Sequence, residues 1–87
     1  MKGYVYFLKD NGHKYYIGST NNIIRRLAHH KYGGTYTTKR MINPEPVLIQ
    51  EYMNIKEARE VELKLKKLKR RDFIEKIVRD GFIKIKP

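Results

Sequence analysis

Residues 3–18 read GYVYFLKDNGHKYYIG, and the fold turns on whether this stretch is one hairpin. Gly3 to Lys9 is a run of aromatic and β-branched residues, which suit a pleated, half-buried surface. It ends at Asp10-Asn11-Gly12, a turn signal, and a second run of the same character, Lys14 to Gly18, follows. Two antiparallel strands are therefore predicted. Alternate residues of a strand share a face, so a suitable register puts Tyr6 and Tyr16 on the same side of the sheet. Tyrosine pairs in small proteins are usually core. Two features argue for a site instead: Gly18 stands where a close backbone or ligand approach would exclude a side chain, and a cationic helix begins immediately afterward.

Working outward, Asn21 and Asn22 can cap that helix, in which Ile23, Ile24, Leu27 and Ala28 fall on one side until Gly33-Gly34 ends it. A polar loop, GGTYTTKRMINPEP, leads to a third strand, Val47-Leu48-Ile49, with Pro46 marking its start because proline cannot sit inside a central strand. Asn54 with Glu57 three residues on resembles a capping box, and Ala58, Val61, Leu65 and Leu68 then recur on one helical face. Asp72 with Glu75 repeats the capping signal. The third helix carries Phe73, Ile74, Ile77 and Val78 and stops at Gly81, leaving Phe82 to Ile85 as a short strand or an ordered tail. The predicted order is ββαβαα, an α+β domain over residues 1–87.

Composition narrows the function. The 87 residues carry twenty Lys and Arg against nine Asp and Glu, a formal net charge of +11. A chain of this size buries only about 60 to 65 percent of the surface its unfolded form exposes, so it has one small core. Such an excess of positive charge opposes compaction unless it lies on a surface that meets an anion, nucleic acid or acidic lipid. No apolar run approaches the ~20 residues of a membrane-spanning helix, and an acidic residue interrupts the start where a signal peptide would continue. A cytoplasmic protein is the expectation. There is no cysteine, which removes disulfides and thiolate zinc sites.

Candidate chemistry begins on the first helix. Arg26 and His30 are i, i+4 neighbours and share a face, with Arg25 and His29 one residue round. This is either a solvated basic face or one wall of a site next to the tyrosines, where a phenol near arginine and a metal can be shifted from ~10 toward the working range of a general base. Glu62 lies beside the Val61 and Leu65 stripe. It is either the i, i+4 salt-bridge partner of Lys66 or a carboxylate ligand for Mg²⁺, an ion that accepts one or two carboxylates plus water and phosphate oxygens. Residues 64–71, KLKKLKRR, read as a phosphate-binding surface through Lys66, Lys67, Arg70 and Arg71. A membrane-surface helix is the weaker reading, because Glu57, Glu60 and Glu62 share the helix. Lys39 and Arg40, beside Thr35, Tyr36, Thr37 and Thr38, add charges, hydroxyls and an aromatic for a nucleic-acid backbone.

Tyr4-Val5-Tyr6, then Tyr16-Ile17-Gly18, then Arg26 and His30, then a helix with Glu62, resembles in order and spacing the GIY-YIG nuclease superfamily. The likeness is to its small stand-alone bacterial members, similar to the N-terminal catalytic domain of the excision-repair nuclease, and it covers roughly residues 3 to 80. It implies a three-stranded antiparallel sheet flanked by helices. It also implies a metal-dependent endonuclease that hydrolyses a DNA phosphodiester in repair or recombination, with a weakly cleaving or inactive nucleic-acid-binding module of the same fold as the alternative. By the resemblance, Tyr16 is the general base toward the attacking water, Tyr6 helps position that water and the phosphate, and Gly18 lets the site close. Arg26 contacts the scissile phosphate, His30 joins the same site, and Glu62 holds one Mg²⁺ or Mn²⁺ ion. The implied partner is DNA, duplex or branched, with RNA left open and a protein partner supplying specificity; no membrane is involved. The sequence departs from the family in three places. Tyr4 replaces the glycine of the first motif, Ser19 stands where the excision-repair proteins carry lysine, and no asparagine follows Glu62.

Overall fold

The computed structural model of the chain describes residues 1–31, 42–68 and 70–87. Its elements run β1 (Gly3–Lys9), β2 (Tyr15–Thr20), α1 (Ile23–Lys31), β3 (Glu45–Tyr52), α2 (Ile55–Leu68) and α3 (Arg71–Asp80), the order ββαβαα expected from the sequence. The strands form one antiparallel sheet in the order β2-β1-β3. As the middle strand, β1 is covered on both faces, and Val5, Tyr6, Phe7 and Leu8 are all buried, which explains an unbroken apolar run rather than an alternating one.

The β1–β2 turn is closed by Asp10. Its backbone N–H donates to the Lys14 carbonyl at 3.0 Å, and its carboxylate accepts the Lys14 N–H at 2.7 Å. The left-handed residue of the turn is His13, with φ 64°, rather than the glycine before it. β3 starts one residue before Pro46, which an outer strand tolerates, and the register slips between Phe7 and Leu8 opposite that proline.

On α2 the expected cap forms: Asn54 Oδ1 accepts the Glu57 N–H at 2.9 Å, and Ala58, Val61 and Leu65 are buried. Leu68, placed on the same stripe by periodicity, is the last residue of the helix and is 37% exposed. α3 departs further from expectation. Its N-cap is Arg70, which makes no side-chain cap; Asp72 falls inside the first turn, where its carboxylate pairs with the Arg70 guanidinium at 2.9 Å. The helix ends as predicted at Gly81, whose φ of 82° closes a hydrogen bond to the Ile77 carbonyl. Residues 82–85 form an ordered tail. The Ile83 N–H donates to Gln50 Oε1 at 2.6 Å and its carbonyl accepts from Gln50 Nε2 at 3.2 Å, so one amide side chain imitates a strand pairing.

Two clusters result. Val5, Phe7, Ile17 and Leu48 pack under Ala58, Val61 and Leu65 of α2, with Ile77 and Ile83 closing the far side. At roughly 1.5–3 kcal/mol per fully buried large aliphatic or aromatic side chain, this face supplies most of the stabilising burial. The other cluster, on the opposite sheet face, is Tyr6 and Leu8 with Tyr16, Ile23 and Leu27.

Candidate active site

Strand register answers whether the two tyrosines share a face. Tyr6 pairs with Gly18 and Leu8 with Tyr16, so the two tyrosines are diagonal neighbours on one face, with ring centroids 6.1 Å apart. α1 lies over this face, started by Asn22, whose Oδ1 accepts the Arg25 N–H at 3.1 Å. The residue it buries most completely is His30, at 1% exposure. The imidazole stands 4.8 Å from the Tyr16 ring and 5.4 Å from the Tyr6 ring. Its Nε2 shares a 2.6 Å hydrogen bond with the Tyr6 hydroxyl. Ile24, grouped with the inward positions by the sequence reading, is instead 81% exposed. The inward position that periodicity would have given to an aliphatic residue belongs to a histidine.

Gly18 is required by this arrangement. A Cβ there would collide with the Tyr6 hydroxyl and lie 2.6 Å from the Tyr6 Cζ, so the phenol of Tyr6 occupies the space that a side chain would fill. The close approach read from the sequence is that of Tyr6.

Burial changes the acid-base character of the pair. It pushes the Tyr6 phenol well above the usual tyrosine range, reinforced by Tyr16 and only partly offset by Arg26. It also holds His30 down to about 4, with the charges of Arg26 and His29 acting in the same direction. At neutral pH the Tyr6–His30 pair is therefore uncharged. Nδ1 of His30 is buried and has no hydrogen-bond partner among the described residues. Tyr16, by contrast, is only half-buried.

At the start of α1 an open cavity of about 270 Å³ is lined by Thr20, Asn21, Asn22, Arg25, Arg26 and His29. Two guanidinium groups and a helix N-terminus give this cleft a positive lining.

Glu62 comes from the other side of β2. Ser19 pairs with Val5 and so faces α2, and its hydroxyl donates to Glu62 Oε1. Lys66 Nζ lies 2.6 Å from Oε2. The salt bridge weighed as the plain reading of Glu62 thus forms, and Lys66, placed on the phosphate surface by the sequence reading, is turned toward it. The Glu62 charge is still felt at the Tyr6 phenol, which it pushes further up. Ser19 stands out in the sequence only as a missing lysine. Its alternation with Ile17 puts it on the α2 face, but no local signal ties it to a residue 43 positions away.

The basic residues are dispersed over partners of their own. Arg70 pairs with Asp72 at 2.9 Å, and Arg71 pairs with Glu75 at 3.2 Å and donates to the His13 carbonyl at 2.6 Å. Lys67 is exposed. Lys39 and Arg40 lie outside the described residues, as do Gly33 and Gly34. No group of three or more His, Cys, Asp or Glu side chains converges among the described residues. A cation held here would rest on the single carboxylate of Glu62 plus water and substrate oxygens, a donor set that suits Mg²⁺ or Mn²⁺.

A family model described as the GIY-YIG catalytic domain matches residues 2–76. Among solved structures, the chain is similar to the solution NMR structure of the UPF0213 protein BH0048 from Bacillus halodurans. The two share 28% sequence identity and a TM-score of 0.59, over 93% of this chain and 87% of that one. No curated protein matches the chain.

Proposed function

The chain belongs to the GIY-YIG nuclease family, and from that premise we propose that it is a single-domain, metal-dependent endonuclease that hydrolyses a phosphodiester of DNA. The observation that carries this reading is the convergence of Tyr6, Tyr16 and His30 on one sheet face, with Arg26 at its rim and Glu62 across β2.

The roles follow from burial. Tyr6 is a poor base, because its phenol is buried, raised and tied to His30; it positions. Tyr16, half-buried beside it, is the base toward the attacking water. His30, neutral at working pH, holds the Tyr6 hydroxyl in place. Arg26 and Arg25, at the cavity beside the N-terminus of α1, grip the phosphate, and Arg26 meets the charge that develops on it. Glu62 holds one Mg²⁺ or Mn²⁺ ion, which when bound stabilises the leaving oxygen. Lys39, Arg40, Lys66, Lys67, Arg70 and Arg71 supply backbone contacts beyond the reacting group.

A nucleic-acid substrate is what membership of a nuclease family implies; DNA, duplex or branched, is the proposed form, and a protein partner supplies specificity. A cytoplasmic role in repair or recombination is proposed on the likeness to the excision-repair domain alone. No described helix is long and apolar enough to cross a membrane.

The test is nicking of supercoiled plasmid with Mg²⁺, Mn²⁺ or EDTA, alongside Glu62→Gln. Metal-dependent nicking that disappears in the variant is expected. Binding without nicking under every metal would replace the nuclease with a binding module.

A further inference from the structure

Glu62 is the carboxylate on which the proposed chemistry depends, and both of its oxygens are engaged: Oε1 by the Ser19 hydroxyl and Oε2 by the Lys66 ammonium, at 2.6 Å. The two partners hold it differently. Ser19 is fixed by the ladder of β2, opposite Val5. Lys66 reaches in on a flexible stem and is 51% exposed, while the Glu62 side chain is 16% exposed.

An ammonium and a divalent cation seek the same oxygen and repel each other, so they cannot both sit on Oε2. The Ser19 bond conflicts with neither. It orients the carboxylate and leaves one oxygen for a cation.

We infer that Lys66 is a placeholder cation on Glu62 and that Ser19 is the positioning residue that presents the carboxylate. A phosphate of the nucleic-acid backbone draws the Lys66 ammonium away, Oε2 is released to the metal ion, and Ser19 keeps Oε1. The inference rests on Glu62 being the metal ligand, as proposed above. Its consequence is positive coupling: backbone binding tightens metal binding, and the metal tightens backbone binding by the same factor. The protein would then be metal-poor until it meets its substrate.

The coupling is modest, because a half-exposed ion pair is weak and its removal changes a competing equilibrium by only about 3- to 5-fold. Ser19, acting through the ligand it orients, counts for more, since loss of such a partner weakens metal affinity by ~10-fold or more.

Mn²⁺ binding to the full chain, read from the electron paramagnetic resonance signal of the free ion, tests this without reference to cleavage. Without DNA, Lys66→Met is expected to bind Mn²⁺ about 3- to 5-fold more tightly than wild type. A short DNA duplex, corrected for the ion it holds alone, should tighten wild-type binding by about 3- to 5-fold more than it tightens Lys66→Met, since substrate oxygens serve the ion in both proteins. Ser19→Ala should weaken binding about 10-fold, with Ser19→Thr restoring most of it. Unchanged or weaker binding by Lys66→Met, or equal tightening of both proteins by the duplex, would overturn the placeholder role. Unchanged binding by Ser19→Ala would overturn the positioning role. Glu62→Gln separates this inference from its premise. Wild-type Mn²⁺ affinity in that variant would sink the metal-ligand reading itself, whereas Glu62-dependent binding that ignores Lys66 would sink only the handover.

Discussion

The two faces of the sheet are built from the same strands, one residue out of phase, and they do different work. On one, Val5, Phe7 and Ile17 meet Ala58, Val61 and Leu65 of α2, an apolar contact with the Ser19–Glu62 pair at its edge. On the other, Tyr6 and Tyr16 meet His30 of α1, and Tyr6 and His30 are as deeply buried as Val5 or Phe7. Equal burial has unequal consequences. Under α2 it stabilises the fold, at about 25 cal/mol per Å² of apolar surface. Under α1 it is partly offset by polar groups, the Tyr6 hydroxyl and the His30 imidazole, whose loss of water their shared hydrogen bond only partly compensates. The polar groups buried under α1 serve the proposed chemistry, and the apolar face under α2 compensates for their cost.

Titration of His30 gives the largest way to sharpen this contrast. Its folded value of about 4 lies below the ordinary 6.5, so between those pH values the unfolded chain binds more protons and stability rises with pH. The contribution is complete above pH 6.5, falls by up to about 1.4 kcal/mol per unit as pH drops, and levels off below 4, for a total of roughly 3 kcal/mol. Denaturant unfolding of wild type and His30→Phe across this range should show the slope in the first and flatten it in the second. Equal slopes would mean that His30 is not the buried neutral group described.

Next in size is Gly18→Ala. The new methyl must displace the Tyr6 phenol, and a loss of about 1–3 kcal/mol is expected, together with a disturbed Tyr6–His30 bond. Thermal unfolding with histidine NMR would report both. A variant as stable as wild type would show that the tyrosine face has slack. The smallest effect on stability belongs to the surface. Replacing Lys67, Arg70 and Arg71 together with Ala should change stability little, each contributing within about 0.5 kcal/mol. The same variant should lower the salt slope of DNA binding by up to about 3. An unaltered slope would place the backbone elsewhere.

Much of this organisation is legible in the chain. The hairpin can be read because aromatic and β-branched runs bracket a turn signal, and α2 because its cap and stripe agree. Periodicity fails at helix ends and on α1. Leu68 and Ile24 fit an apolar pattern yet lie exposed, since a pattern marks a face without saying where its cover stops. The capping signal of α3 misleads because the helix starts one residue before Asp72, which falls in the first turn and pairs with Arg70. For the site, Tyr6, Tyr16, Gly18, Arg26, His30 and Glu62 all stand out in the sequence. The depth of His30 and the hold of Ser19 on Glu62 do not, because each depends on a contact between residues distant in the chain, whereas the Lys66–Glu62 salt bridge is one of the two readings their i, i+4 spacing offers, and it forms.

Tyr16 and Ile17 are consecutive residues on opposite faces of β2, and together they test the central claim. Stability and plasmid nicking should be measured in parallel on Tyr16→Phe and Ile17→Ala. Tyr16→Phe is expected to unfold within about 0.5 kcal/mol of wild type while losing at least ~100-fold in cleavage, the contribution of a general base. Ile17→Ala should lose roughly 2–5 kcal/mol yet keep its cleavage rate per folded molecule. Wild-type cleavage by Tyr16→Phe would contradict the assignment of chemistry to the tyrosine face.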